Sequence, residues 1–414
     1  MKRLTLREGV GKAAGFVTRQ QRPFKVNLVR STVQNFSMSL SQQYQSIYTV
    51  ALGATPFQLG LANSVGGIAA AAVSTPMGWL TGKYGVRRMY LLATPLWILS
   101  ALLLVAAQDW VTAIPALFLA TLSTRMMLTA CSMVCGSYLT SEDRATGMQL
   151  CDTISALPRL FAPIVAAVLI TFFGGLNTKG IRPIYLLQAA VLLLMLLLVV
   201  KWFDDPLRRG PDAGSMGFRE GLTRVLGEGT RVRTWTLFAV FSACSMMMSG
   251  TYVSVFAQQQ KGADQFVLGS MASISVVAPL LLSLFVGRLA DTIGRKKTLF
   301  VLTPLYALSF ALMLVADSPF LLLVSSFFQG FGMLTWITEN AISAELIPLQ
   351  LLGSWFGFLG LFRGLASVAG PLFGGLVWSI LNPGAVFYLL ILLESGKLLI
   401  LATMPETLRR TRLP

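Results

Sequence analysis

The chain returns repeatedly to apolar runs long enough to cross a bilayer, which takes about 20 residues of helix. One stretch, 184–200, contains no charged residue at all. Apolar residues make up 55% of the 414 positions, charged residues only 12%, and the mean hydropathy is +0.69. Soluble domains carry about 25% charged residues, so this chain has too little polar surface to stay dissolved. The composition is that of an integral membrane protein.

Twelve segments meet the length requirement: 26–53, 57–80, 89–107, 111–138, 146–173, 184–203, 234–258, 266–287, 298–316, 319–342, 353–381 and 384–404. The first and tenth are the most polar. The stretch 204–233 is charged and lacks an apolar period, so it reads as a linker. The expected organisation is a basic N-tail (1–25), a six-helix bundle (26–203), the linker (204–233), a second six-helix bundle (234–404) and a C-tail (405–414). The N-tail has no apolar core of the signal-peptide kind.

The chain has 33 Lys and Arg against 17 Asp and Glu, a formal charge of +16. Most of these cations fall in the tails, the linker and the even-to-odd loops. Only Lys179, Arg182 and Lys261 fall on the opposite side. That is the positive-inside bias of a plasma (inner) membrane protein with both termini cytoplasmic. Topology and contact with anionic lipid heads account for the net charge, and no nucleic-acid partner is implied. There is no His, which excludes Ser-His and Cys-His nucleophile pairs, His-bearing zinc sites and His-held haem. The four cysteines lie in apolar stretches and read as small packing residues. No cofactor and no metal is expected.

Two motifs recur. Gly78-Trp-Leu-Thr-Gly-Lys-Tyr-Gly-Val-Arg-Arg88 returns 209 residues later as Gly287-Arg-Leu-Ala-Asp-Thr-Ile-Gly-Arg-Lys-Lys297. Ala162-Pro163-x-x-Ala166-Ala167 returns 208 residues later as Gly370-Pro371-x-x-Gly374-Gly375. Two unrelated motifs at nearly one offset indicate a duplicated six-helix unit. The fold class expected is therefore all-α, with twelve transmembrane helices in two pseudo-symmetric bundles.

Gly287 to Lys297 resembles, residue by residue, the signature loop of the major facilitator superfamily. Gly370-Pro371-x-x-Gly374-Gly375 is similar to that family's antiporter-associated motif, and Arg125 stands about where proton-coupled members carry an intramembrane Arg. The resemblance covers roughly residues 26–404. It implies a secondary transporter working by alternating access as a monomer, on a small-molecule solute, with protons and lipids as partners. It also implies gating roles for Gly78, Gly85, Arg87, Gly287, Asp291, Gly294, Arg295, Gly370 and Pro371. The pattern is incomplete: Gly82 replaces the acid of the first loop, Ala162, Ala166 and Ala167 replace glycines, and Thr129 stands one turn after Arg125 in place of Gly.

In the first segment Arg30, Gln34, Ser37, Ser41, Gln45 and Tyr48 recur every three or four residues, one polar stripe that must face protein or a water-filled cavity. The seventh repeats this with Ser242, Ser245, Ser249 and Tyr252. A charge at the bilayer centre costs roughly 3 kcal/mol or more, which makes the intramembrane charges the sharpest functional candidates. Asp152, Ser155 and Arg159 would share one helix face. Arg125, Arg363 and Glu339 lie in other segments, and Glu394 and Lys397 are close enough along one helix to satisfy each other. Arg125 and Arg159 either present cations to an anionic group or are neutralised by Asp152. The expected substrate-binding residues are Gln45, Tyr48, Arg125, Arg159, Tyr252 and Trp336, with Asp152 and Glu339 as proton carriers. No phosphate-binding Gly-Lys-Ser/Thr loop is present for a pump, and no carboxylate pair or Ser-Lys dyad suggests an enzyme. Proton-coupled efflux of a drug-like compound or metabolite is the leading expectation. Transport of an organic anion or phosphorylated solute is the alternative, and a non-transporting sensor a remote one.

Overall fold

A computed structural model describes residues 15–74, 84–139, 144–203, 229–347, 352–404 and 406. The turn around Gly78 and most of the 204–233 linker lie outside these residues. The helices are α1 (Arg22–Ala51), α2 (Pro56–Ser74), α3 (Val86–Ala106), α4 (Trp110–Tyr138), α5a (Arg144–Ala156), α5b (Ala162–Phe172) and α6 (Thr178–Trp202). After the linker come α7 (Thr230–Lys261), α8a (Gln265–Ser275), α8b (Val277–Ile293), α9 (Arg295–Val315), α10 (Pro319–Glu345), α11 (Leu352–Ile380) and α12 (Ala385–Thr403). Among the described residues, ten helical stretches are long and apolar enough to cross a membrane. α10 is one of them; α1 and α2 are not. α1 is 30 residues long, but its polar stripe lowers its hydropathy, and α2 runs to the edge of the described residues.

Helix ends fall where capping dictates, which is not where hydropathy changes. α6 begins at Thr178, six residues before its apolar run, because the Asn177 side chain accepts the backbone N–H of Gly180 at 2.8 Å. That bond satisfies one of the donors a helix start leaves open. Asp109 caps α4 and Ser318 caps α10 in the same way.

These punctuation residues repeat along the chain. Asp109 and Ser318 are 209 residues apart, as are Pro95 in α3 and Pro304 in α9. Gly85 and Gly294, each just before its helix, keep the same spacing and both have positive φ, at 82° and 108°. That conformation strains any residue with a Cβ, which explains the last glycine of the recurring loop motif. Ser100 donates to the Ala116 carbonyl at 2.7 Å and Ser325 to that of Ser309 at 2.8 Å, tying α3 to α4 and α9 to α10 at equivalent levels.

Two helices are broken. α5 is interrupted by a 3₁₀ turn, Leu157–Leu160, where Pro158 and Pro163 each lack a backbone donor. α8 breaks at Val276, because Pro279 cannot bond the Ser275 carbonyl. The freed carbonyl faces Gly330 of α10, where no Cβ blocks it.

The two halves meet along α2 with α11 and along α5b with α8a, and both seams are locked alike. The Tyr252 hydroxyl hydrogen is shared between the carbonyls of Pro371 (2.7 Å) and Pro56 (3.1 Å). The Tyr44 hydroxyl is shared between Pro163 (3.2 Å) and Gln265 (2.8 Å). Each tyrosine thus holds the motif proline of its own half and a backbone carbonyl of the other. Gly60 and Gly269, again 209 apart, let the helices close: a Cβ on Gly269 would stand 2.8 Å from the Pro163 carbonyl. On Gly60 it would run into the Pro371 carbonyl.

Gly60→Ala should therefore force α2 and α11 apart and cost about 1–3 kcal/mol, read as a lower thermal midpoint of the detergent-purified protein. Gly250→Ala on α7 points into open space and should leave that midpoint unchanged. Equal midpoints for the two variants would show that the seam is not the tight contact described.

Candidate functional site

The densest group of charges lies inside the second half. On α12, Glu394 and Lys397 are three residues apart and face the same way, towards α7 and α10. Both are buried, as is Glu339 of α10. Lys397 Nζ lies 2.8 Å from Glu394 Oε2 and 3.9 Å from Glu339 Oε1, so one ammonium stands between two carboxylates. The serine face of α7 supplies hydroxyls: Ser242 donates to Glu339 at 2.6 Å and Ser245 to Glu394 at 2.7 Å. Arg363 of α11 approaches the other oxygen of Glu339 at 3.8 Å, donates to Asn340 Oδ1 at 3.1 Å and lies 4.3 Å from the Trp336 ring centre.

Two acids and two bases make this cluster formally neutral, which is what allows it inside a membrane protein at all. Its hydrogen bonding is uneven. Glu339 Oε2 and Arg363 Nε and NH2 have no hydrogen-bond partner among the described residues. Lys397 with Glu394 is the close pair and Arg363 with Glu339 the loose one. Arg363 also feels the Arg125 guanidinium of α4 across the interface between the halves. Arg125 is exposed although it lies within a span. A charge there cannot face lipid, so it opens onto a water-accessible space between the helices.

The first half handles its charges differently. Arg30 of α1 is fully buried without touching a carboxylate. It donates to Asn27 Oδ1 (3.1 Å), Ser31 Oγ (2.9 Å) and Gln34, and lies 4.2 Å from the Tyr90 ring centre. Neutral acceptors bond each of its three nitrogens and a ring face lies beside it. Arg159, on the 3₁₀ turn, is half-buried and donates through Nε to Asn35 Oδ1 of α1 at 3.0 Å. A 3₁₀ turn, Leu157–Leu160, interrupts the helix expected to carry Asp152, Ser155 and Arg159 on one face. Asp152 is exposed, acts on Arg159 only through space, and makes no ion pair among the described residues.

The expected residues therefore separate into groups. Trp336, Glu339 and Arg125 converge around Arg363, while Arg159 and Asp152 lie together on the other half. Gln45 is half-buried on α1. Two residues expected on the cavity wall are buried in packing. Tyr48 is wholly buried, 5.1 Å from the Tyr185 ring, and gives its hydroxyl to the Leu104 carbonyl at 2.6 Å. Tyr252 is equally buried, in the α2–α11 seam. Both hydroxyls are used up by backbone carbonyls that broken or closely packed helices present, which spacing along one helix does not reveal.

Among the expected gating residues, Arg87 donates to the Val200 carbonyl of α6 at 2.9 Å. Arg295 lies 3.0 Å from Glu345 of α10 and 3.7 Å from Asp291. Gly287 adjoins a small cavity of about 100 Å³ between α8b and α10. Gly370 packs against the α7 backbone at Cys244. Glu406 had no expected role; its carboxylate accepts the Lys296 N–H at 3.2 Å at the start of α9, where a helix favours negative charge. Sequence reasoning also missed Asn35 and Asn340, and it treated Glu394 with Lys397 as a closed pair. No local pattern marks any of these, since each meets its partner from a distant helix.

The model of the Major Facilitator Superfamily matches this chain over residues 31–267 and 235–395. The multi-drug resistance efflux pump PmrA of Streptococcus pneumoniae is 25% identical over 369 residues, covering 85% of this chain and 88% of the relative. A Na(+), Li(+), K(+)/H(+) antiporter of Planococcus maritimus is 27% identical over 144 residues, about a third of each chain. The crystal structure of a point mutant of the nucleoside transporter NupG superposes with a TM-score of 0.80 at 15% identity, over 92% of this chain and 99% of that one.

The contrast between the first-half cations is testable. Arg30→Met leaves the buried Gln34 oxygen without its donor and should cost about 1–3 kcal/mol of stability, whereas Arg159→Met, which loses only its part-buried hydrogen bonds to Asn35, should cost about 1 kcal/mol or less. Thermal unfolding of the two purified variants decides it, and a larger loss for Arg159→Met would reverse the assignment.

Proposed function

Since the chain belongs to the major facilitator superfamily, and so is a membrane transporter of small solutes, we propose that it is a proton-coupled exporter of a drug-like compound or metabolite. In this reading α1 and α2 complete twelve spans. The protein sits in the plasma (inner) membrane as a monomer with both termini in the cytoplasm. The observation that carries the proposal is Glu339: a buried carboxylate with one oxygen lacking a hydrogen bond, loosely paired to an Arg that faces a second Arg from the other half.

The mechanism follows from charge balance. With Glu339 ionised the cluster is neutral; with Glu339 protonated it carries one excess positive charge, centred on Arg363. A bound solute and a bound proton thus change the same local field, which couples their occupancies. Asp152, exposed beside Arg159, is the second proton carrier. Trp336, Arg125, Arg159 and Gln45 contact the solute, and Tyr48 and Tyr252 are assigned to packing. The loops at 78–88 and 287–297 gate the cytoplasmic end. There Asp291 and Glu345 flank Arg295, so that Asp291→Asn alters the balance of open states without altering solute choice. The relatives lend weight through their printed names, an efflux pump and a cation/H(+) antiporter.

A second reading has its own support. Arg125, Arg159 and Arg363 give the space between the halves more positive than negative charge, which suits an organic anion or phosphorylated solute.

In everted vesicles carrying a pH gradient, ethidium movement should require the transporter. Glu339→Gln should slow it about tenfold or more, and Asp152→Asn should remove its dependence on pH while leaving the protein folded. Movement of anionic dyes but not ethidium, lost in Arg159→Gln, would replace the first reading by the second. Full activity in Glu339→Gln would remove Glu339 from the mechanism altogether.

A further inference from the structure

The pair Glu394–Lys397 does no chemistry in the mechanism above, yet it occupies the place next to the proposed proton site. Three helices converge on it. Ser245 of α7 fixes Glu394 Oε1, Lys397 fixes Glu394 Oε2, and Ser242 of α7 stands 3.5 Å from the Lys397 ammonium while donating to Glu339. The ammonium is thus held 2.8 Å from one carboxylate and 3.9 Å from the other. A carboxylate used only to neutralise a lysine needs no second acid within reach. A lysine used only to neutralise Glu339 needs no tether.

We propose that Glu394 and Lys397 are positioning residues: Glu394 tethers the Lys397 ammonium so that only part of its charge acts on Glu339, which leaves Glu339 able to take up and release a proton in turn. The proposal rests on Glu339 as the proton carrier and adds what sets its working range. The groups facing Glu339 are Lys397 and Glu394 from α12, Arg363 from α11, Ser242 from α7 and the Tyr306 hydroxyl from α9, with Arg125 of α4 acting on Arg363 from beyond. Of the two cations, Arg363 is the one that reaches the space between the halves, and its side chain is 12% exposed against 1% for Lys397. A solute that draws Arg363 away leaves Lys397 as the remaining counter-charge. Without the tether, the ammonium would close the remaining gap of about an ångström onto Glu339 and hold it ionised, since an opposite charge in contact favours the charged form. Without the ammonium, Glu339 would stay protonated once Arg363 moved.

The two members of the pair therefore act on Glu339 in opposite directions, and a pair without influence on Glu339 would shift it in neither variant. The test is an infrared titration of the full chain in vesicles of phosphatidylethanolamine and phosphatidylglycerol, following the protonated carboxyl band that disappears in Glu339→Gln. Glu394→Gln should move the midpoint of that band towards acid by about one to three pH units. Lys397→Met should move it towards alkali by a similar amount, and Lys397→Arg should restore the parent value. Lys397→Met leaves Glu394 without its cation, so the double variant Glu394→Gln/Lys397→Met, which buries no unmatched ion, is read alongside it and should also move towards alkali. Shifts in the same direction for Glu394→Gln and the double variant, or no shift in either, would overturn the proposal. No solute is present in this titration. Opposite shifts together with solute transport that ignores pH would sink the coupling reading and leave the positioning role standing, while a fixed band with pH-dependent transport would do the reverse.

Discussion

Inside a bilayer no water is at hand to complete a hydrogen bond, and an unmatched polar group there costs several kcal/mol. Every charged side chain within these helices must therefore find a polar partner or open onto water. That constraint sorts the charges by what surrounds them. Arg30 has three neutral oxygen acceptors and a tyrosine ring, nothing in its surroundings changes charge, and it holds α1 together locally. Glu339 has counter-charges on two sides, one anchored and one reaching towards the interface. A cation satisfied by neutral groups is inert; an acid balanced by separable cations can change state.

The same constraint shapes the seams. Where helices of the two halves pack closely, Tyr44 and Tyr252 donate to backbone carbonyls on both sides of each contact. Each hydroxyl bridges its own half to the other, so separating the halves at that end must break bonds to backbone oxygen and find replacements from water. The duplicated chain builds this lock twice, with Gly60 and Gly269 providing the same close approach. In the first half the prolyl motif carries alanines where the second carries glycines. The first seam obtains its clearance from Gly269 on the opposing helix, while Gly374 and Gly375 on the motif helix itself accommodate Tyr252 in the second.

Much of this architecture was legible in sequence, for a physical reason: membrane spans, caps and positive-φ turns depend on residues within a few positions of one another. The repeat of Gly85 at Gly294 is local chemistry copied 209 residues on. The site was less legible because its contacts join residues far apart in the chain. Glu339 and Lys397 were each visible as costly charges, but their 3.9 Å separation depends on how α10 and α12 pack. Tyr48 and Tyr252 lie buried for a related reason. A polar stripe on a helix says that the stripe avoids lipid, and it does not say whether water or a neighbouring backbone receives it.

The charge arithmetic also separates the two acids that sequence alone treats as equals. Asp152 is exposed and makes no ion pair among the described residues, and its charged neighbour Arg159 acts on it only through space. Glu339 is buried, shared by Ser242, Lys397 and Arg363, and neutralising it leaves two cations facing one acid in a space that water barely reaches. A buried excess charge has to be relieved, by rearrangement of the helices that carry it or by arrival of a compensating group. Arg363 is on α11, the helix that packs against α2 across the seam and is held there by Tyr252 through Pro371. A proton on Glu339 is therefore mechanically connected, through one helix, to the contact between the halves.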